Sequence, residues 1–146
     1  MRPLLLLILL PLSPAALAYR CSVASTPLLF GQVAGVADRV QSSTASVTVT
    51  CEAGASAASV GYSLYMDSAD STEHALRNGS GTAQYQLFMA NGRQPILHGQ
   101  AFAGDRYTLA AYTSATRTYT VYARMQAGQA GTPGTYQAMN AIRLLY

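Results

Sequence analysis

The stretch STASVTVTC, residues Ser43–Cys51, decides the fold class of this chain. Apolar and polar residues alternate along it, so that one face carries Ala45, Val47, Val49 and Cys51 while the other carries serine and threonine. This period of two is typical of a β-strand, because successive side chains of a strand point to opposite faces of its sheet. The stretch therefore predicts a strand whose apolar face lies in a core.

Four further runs alternate in the same way. Their predicted inward faces are Tyr62, Leu64 and Met66 in Val60–Met66; Tyr85, Leu87 and Met89 in Ala83–Ala90; Tyr119, Val121, Ala123 and Met125 in Thr118–Gln126; and Tyr136, Ala138, Asn140, Ile142, Leu144 and Tyr146 in Thr135–Tyr146. Turn-forming pairs such as Asn91-Gly92 and Pro133-Gly134 fall between the runs, and no long stretch has a helical period. This pattern predicts an all-β fold, an antiparallel sandwich.

Met1–Ala18 has the features of a secretory signal peptide. Arg2 precedes an apolar run, Leu4–Leu10, and an A-x-A cleavage site ends at Ala18. The apolar run is far shorter than the roughly 20 residues that span a bilayer, and no second long run follows. We therefore expect cleavage after Ala18 and a single mature domain over residues 19–146 with no integral membrane segment. The alternative is an uncleaved anchor at the membrane interface.

Net charge limits the classes of partner. The chain has 146 residues and a net charge of +3, and its nine basic side chains, all arginine, are scattered. Nucleic acid binding usually requires basic residues clustered in a patch or stripe. We therefore expect no nucleic acid partner, and the absence of lysine excludes Schiff-base chemistry.

Cys21 and Cys51 are the only two cysteines. A pair of cysteines in a secreted chain predicts one disulfide, because the compartments outside the cytosol are oxidising. Two buried thiols are the alternative. A redox-active pair is disfavoured, since the spacing is unlike C-x-x-C.

Five stretches, in this order, carry a resemblance to a known family. They are Cys21-Ser22-Val23; Leu29-Phe30-Gly31; VTVTC over Val47–Cys51; LRNGSGTAQYQLFMANGRQPILHG over Leu76–Gly99; and PGTYQAMNAIRLLY over Pro133–Tyr146. In order and spacing they resemble the spore coat protein U domain family, which includes the pilins of the archaic chaperone–usher pili of Gram-negative bacteria. The resemblance covers nearly all of the chain after the predicted signal peptide.

The resemblance implies an incomplete immunoglobulin-like antiparallel β-sandwich that lacks its last strand. A donor strand from a neighbouring pilin would fill the groove, and a periplasmic chaperone would hold it until an outer-membrane usher accepts the subunit. Export to the periplasm and then to the cell surface or fimbrium follows. We expect the groove to be lined by Tyr136, Ile142, Leu144 and Tyr146. A register slip of one residue would present Arg143 and Leu145 instead.

The predicted mature chain has little before its first cysteine. Only Tyr19 and Arg20 precede Cys21 after cleavage, and two extended residues span roughly 7 Å. A donor strand needs about five to ten residues. We therefore expect a subunit that accepts a strand without donating one, at the pilus tip, with a role in adhesion and biofilm formation. An ordinary or minor pilin and a self-complete spore-coat-like surface or matrix protein are the alternatives.

Three aromatic residues fall on strand faces opposite the predicted core. Tyr65, Phe88 and Tyr122 are candidates for surface contact, because amphipathic rings suit binding surfaces. Ordinary cross-strand packing is the alternative.

Evidence for chemistry in the sequence is weak. Asp67, Asp70 and Glu73 form the only acidic cluster; they could bind Ca²⁺, but they lack EF-hand spacing and read better as a solvated loop. His74 and His98 are candidate general bases, but there is no Gly-x-Ser-x-Gly motif. We therefore expect no metal, no cofactor and no enzymatic activity, with a secreted hydrolase as a minor alternative.

Overall fold

A computed structural model describes most of the chain after the predicted signal peptide. The residues it describes are 18–33, 41–66, 73–78, 81–89, 93–97, 99–125, 134–138 and 141–146. Met1–Leu17, which form the predicted signal peptide apart from Ala18, lie outside them.

These residues form ten β-strands, with no helix among them. The strands are β1 Tyr19–Ser25, β2 Leu28–Val33, β3 Gln41–Ala53, β4 Ala58–Met66, β5 Glu73–Asn78, β6 Gly81–Phe88, β7 Ala101–Leu109, β8 Ser114–Met125, β9 Gly134–Ala138 and β10 Ile142–Leu145. Every pairing between these strands is antiparallel. The predicted all-β antiparallel class is confirmed.

The strands form two sheets that enclose one core. The larger sheet has seven strands in the order β1-β3-β8-β6-β5-β9-β2, and the smaller has three in the order β10-β4-β7. Each sheet turns its apolar face toward the other, as expected of a sandwich. The long pairing between β3 and β8, from Gln41↔Met125 to Glu52↔Ser114, is the centre of the larger sheet.

The larger sheet is curled. β1 and β2 are consecutive in the chain, separated only by Thr26 and Pro27, yet they lie at opposite ends of the strand order. The Ser43 hydroxyl of β3 accepts a hydrogen bond from the Leu29 amide at 3.1 Å and donates one to the Leu29 carbonyl at 2.8 Å. Because β2 therefore lies beside β3, the two ends of the sheet meet and form a half-barrel around the core.

The predicted inward faces of β3, β4, β6 and β8 form much of the core. The STASVTVTC stretch lies in β3, and its residues Val47, Val49 and Cys51 are at most 1 % exposed. The inward faces of β4, β6 and β8 are also buried: Tyr62, Leu64 and Met66; Tyr85 and Leu87; and Val121, Ala123 and Met125. Met89 and Tyr119 are partly buried against this cluster. The alternation in the sequence is thus confirmed as the pattern of burial.

The last predicted run differs in one respect. The sequence predicts a single run over Thr135–Tyr146, whereas the structure divides it into β9 in the larger sheet and β10 in the smaller one. Alternation reports which face of a strand is buried and not which sheet the strand joins. Strands at the corner of a sandwich can pass from one sheet to the other, and here Tyr136 and Ile142, on either side of the change, both pack in or against the core.

Candidate functional site, the groove between β1 and β10

β1 and β10 are edge strands that face each other across the seam between the two sheets. β1 pairs with β3 on one side, and β10 pairs with β4 on one side. Within the described residues, neither strand has a ladder partner on its other side. Their closest Cα atoms lie within 8 Å of each other. We call the space between Tyr19–Ser25 and Ile142–Leu145 the β1–β10 groove.

The walls of the β1–β10 groove are apolar and only half-buried. Tyr19, Cys21 and Val23 of β1 pack against the core, as do Ile142 and Leu144 of β10. The residues that alternate with them are exposed. Side chains that point inward in a sandwich are normally covered by the opposite layer. Their partial exposure therefore marks apolar surface that a further strand could cover.

The floor of the groove reaches the core at one end. A cavity of about 20 Å³ lies there, large enough for about one water molecule or methyl group. It is lined by Ser25, Thr26, Leu28, Ala45, Val47, Met66, Val121 and Ile142. A side chain of an added strand that entered this cavity from the groove would therefore contact buried residues of both sheets.

The four predicted groove residues occupy three different places. Ile142 and Leu144 lie in the wall, opposite Met66 and Leu64 of β4. Tyr146 lies at the end of the groove and is 51 % exposed. Tyr136 is completely buried in β9 of the larger sheet, within the core.

Sequence reasoning missed the second wall of the groove. Tyr19, Cys21 and Val23 alternate with Arg20, Ser22 and Ala24, and this short pattern was the available signal. It is weak, because the run begins directly after the predicted signal peptide.

A disulfide fastens the β1 wall to the rest of the larger sheet. Cys21 and Cys51 lie directly opposite each other in the β1–β3 pairing, with Cα atoms 4.1 Å apart, and their sulfurs are bonded. The predicted disulfide is therefore present in the structure. Because β1 has a ladder on one side only, this covalent link adds to the hydrogen bonds that hold the wall in position.

The opposite seam, between β7 and β8, is closed by polar and aromatic contacts. The hydroxyls of Tyr62 and Tyr119 are 2.7 Å apart, and the ring of Tyr107 packs edge-on against Tyr62. Arg117 pairs with Asp105 at 2.9 Å and lies over the Tyr107 ring at 4.7 Å from its centroid. The two seams therefore differ in chemistry: an ion pair and hydroxyl contacts connect the sheets at β7 and β8, whereas partly exposed apolar residues line most of the β1–β10 groove.

The sequence places the chain in a known protein family. A model of the Spore Coat Protein U domain matches residues 7–141. The chain belongs to this family. Spore Coat Protein U domains are the subunits of chaperone–usher pili, structural proteins of the fimbrial surface and not enzymes. No curated protein matches the chain.

The match spans nine of the ten strands of this Spore Coat Protein U domain. β1 to β9 lie inside the matched range, and β10 begins at the residue after it. Among the described residues, no helix is long and apolar enough to cross a membrane.

Burial raises the pKa of Tyr62 well above its ordinary value in this Spore Coat Protein U domain. The hydrogen bond with Tyr119 raises it further, as do the neighbouring Tyr107 and Asp105. Burial also raises the pKa of Tyr107, although the positive charge of Arg117 opposes the shift. The β7–β8 seam therefore favours the protonated forms of Tyr62 and Tyr107.

We expect the free energy of unfolding to fall as the pH rises above about 10, the ordinary pKa of tyrosine. In this range the unfolded chain releases protons that folded Tyr62 retains, so the unfolded state binds fewer protons and gains stability with pH. Below that range Tyr62 is protonated in both states and contributes no slope. Urea unfolding at several pH values between about 8 and 11 measures the effect.

Tyr62→Phe should reduce the alkaline loss of stability, whereas Tyr112→Phe serves as the control. Tyr112 is 81 % exposed and lies in the turn between β7 and β8. A Tyr62→Phe variant with the same alkaline slope as the parent would contradict the assignment.

The three aromatic candidates for surface contact do not form one surface. Phe88 and Tyr122 are neighbours across the β6–β8 pairing, and the guanidinium of Arg124 lies 4.7 Å from the centroid of the Phe88 ring. Tyr65 lies on β4 in the smaller sheet, where Arg143 is 5.7 Å from its ring centroid. The structure thus brings together Phe88 and Tyr122 and separates them from Tyr65.

The residues considered for metal binding or catalysis lie mostly outside the described part. Asp67, Asp70 and His98 are outside it, and Glu73 and His74 belong to β5 without described side chains. Among the described side chains, no group of three metal-ligating residues occurs.

Proposed function

We propose that this chain is a secreted structural subunit of a chaperone–usher pilus that accepts a donor strand from a neighbouring subunit in the β1–β10 groove. The observation that carries the proposal is the pair of facing edge strands with half-buried apolar walls. An added strand would form main-chain hydrogen bonds with a free edge, and its alternate side chains would fill the space between the walls.

Among the described strands, β7 forms the other edge of the smaller sheet, and its charges support the choice of β10. β7 carries Asp105 and Arg106, and Asp105 is paired with Arg117 of β8. Charged residues on an edge strand oppose pairing with another chain. The relevant difference is in the inward-facing residues: β7 has the charged Asp105 there, whereas β10 has Ile142 and Leu144 and carries its charge, Arg143, on the exposed face. The partner strand is therefore expected at β10 and not at β7.

The proposed partners follow from the same exposed apolar surface. An uncovered apolar edge is a template for aggregation, so the subunit requires a protein that covers it before assembly. We assign this role to a periplasmic chaperone, with an outer-membrane usher transferring the subunit to its neighbour. Export would begin with the predicted signal peptide and end at the cell surface.

Co-expression tests the proposal. Produced in the periplasm with its cognate chaperone, the subunit should form a soluble complex of one copy of each protein. Without the chaperone it should aggregate or be degraded. A stable soluble monomer in the absence of chaperone and donor peptide would contradict strand acceptance and favour a self-complete surface or matrix protein.

The tip of the pilus is the position we propose for the subunit. Tyr19–Ser25 already pair with β3, so these residues are not free to serve a neighbour as a donor strand. Cleavage after Ala18 would leave only Tyr19 and Arg20 before Cys21, and both already pair with β3. We propose the Phe88–Tyr122 pair as a candidate contact for adhesion. N-terminal sequencing of the secreted subunit should give Tyr19 first. Ten or more residues before Cys21 would rule out this position.

A further inference from the structure

One end of the β1–β10 groove is bridged by a tyrosine. The Tyr19 hydroxyl of β1 donates a hydrogen bond to the Gly61 carbonyl at 3.1 Å and accepts one from the Gly61 amide at 3.3 Å. Gly61 belongs to β4, so this side chain connects the larger sheet to the smaller one. Tyr19 is the first residue of β1, and its ring contacts that of Tyr146, the residue that follows the end of β10.

The same hydroxyl occupies the edge of β4 beyond the β10 pairing. β4 pairs with β7 on one side, where Gly61 lies opposite Arg106, and with β10 on the other. The pairing of β10 with β4 extends to Leu145↔Ser63, in the direction of Gly61. On this side, the amide and carbonyl of Gly61 form hydrogen bonds with the Tyr19 hydroxyl and not with the backbone of another strand. A strand could form main-chain hydrogen bonds with Gly61 only by displacing Tyr19.

Tyr146 covers this bridge from outside. Its ring centroid lies 5.7 Å from that of Tyr19, and the two ring planes are tilted by 43°. Rings at this distance attract each other beyond their apolar burial. We call Tyr19 and Tyr146 the tyrosine clasp. At the other end lies the small cavity between Thr26 and Ile142, and none of the described residues that line it is aromatic.

We propose that the tyrosine clasp is an end stop that fixes the register of the strand entering the groove. The inference rests on the proposed strand acceptance. The strand would pair along β10, which has four residues, and its end would abut the clasp. A slip of one residue would turn its apolar side chains away from the core. A stop at one end therefore selects a partner segment in which apolar residues alternate. At the tyrosine clasp, this segment must either end or continue with small residues.

Synthetic peptides test the end stop without knowledge of the natural partner. The core peptide is a short segment of alternating valine and threonine, with a fluorescent label at its central outward-facing position. Two unlabelled competitors carry the same two-residue extension, tryptophan followed by arginine. One competitor has it at the N-terminus and the other has it at the C-terminus. Competition binding to the purified subunit is measured for the parent, for Tyr146→Ala and for Tyr112→Ala. Tyr112 is a matched control because it is an exposed tyrosine outside the groove.

An asymmetric result is expected. In the parent, an extension at one terminus should weaken binding by about tenfold or more, whereas the same extension at the other terminus should have little effect. Tyr146→Ala should remove most of this difference, and Tyr112→Ala should retain it. Equal tolerance at both termini in the parent would overturn the end stop while leaving strand acceptance intact.

Two other outcomes separate the two proposals. If the parent binds none of the peptides, strand acceptance itself fails and the end stop fails with it. If Tyr146→Ala loses the unextended core peptide, Tyr146 belongs to the binding wall, and the end stop is overturned.

Discussion

A subunit in which both Cys21 and Cys51 are replaced by alanine is expected to lose roughly 3.6 kcal/mol of its free energy of unfolding. The disulfide closes a sequence separation of 30 residues, and a cross-link of this length restricts the unfolded chain by about that amount in the chain-entropy account. The loss has a local consequence as well, because the disulfide fastens β1 to β3. The β1 wall should therefore open more often than the rest of the sheet.

Equilibrium unfolding in urea measures the global loss, and hydrogen exchange of the β1 amides measures the local one. The matched control is Ser22→Ala with Thr50→Ala, the neighbouring opposed pair on the exposed face of the same two strands. This control should cost about 1 to 2 kcal/mol, since Ser22 is exposed but Thr50 is partly buried and loses its hydroxyl contact with Thr116. A cysteine-free subunit as stable as the control would contradict the expected role of the disulfide.

Replacing Leu144 by aspartate is expected to abolish strand acceptance, whereas replacing Leu145 by aspartate should leave it nearly unchanged. Leu144 packs against the core and faces the groove, and its neighbour Leu145 is 49 % exposed on the other face of β10. A strand covering Leu144→Asp would bury a carboxylate without a partner, in addition to losing the apolar contact. We expect binding of a donor peptide or the chaperone to weaken by about 100-fold or more, equivalent to roughly 2.7 kcal/mol.

The two variants add the same charge at adjacent positions, so they separate the effect of facing the groove from the effect of net charge. Affinity for the core peptide or the chaperone is measured together with the thermal midpoint of each variant. Leu144→Ala adds a milder change that removes apolar contact without introducing charge. Equal affinities for Leu144→Asp and Leu145→Asp would exclude β10 as a wall of the binding groove.

Much of the fold could be predicted from the sequence because burial in a sandwich follows strand alternation. Val47 and Val49 show this directly, since both are inward in the pattern and buried in the structure. Alternation does not report a strand's partner, so the division of the last run between two sheets could not be predicted. Tyr136 and Ile142 share one phase of that run but belong to β9 and β10.

The candidate site was only half predictable for a related reason. The β10 wall follows from a clear alternating run, but the facing wall depends on which strand lies across the seam. Likewise, the hydrogen bond between Tyr62 and Tyr119 joins residues that are far apart in the chain. Such contacts depend on the packing of the two sheets, which no local pattern encodes.

The topology also governs the order in which the subunit can fold during export. β10 pairs with β4, so that Ile142 lies opposite Met66 from about half the chain away. Such non-local pairing slows folding, because long loops must close before these contacts form. If the N-terminus crosses the inner membrane first, β4 must wait for the last residues to emerge before its ladder with β10 can form. The β1–β10 groove is therefore complete only once β10 has paired with β4, so the chaperone proposed above would find its full binding surface only at that stage.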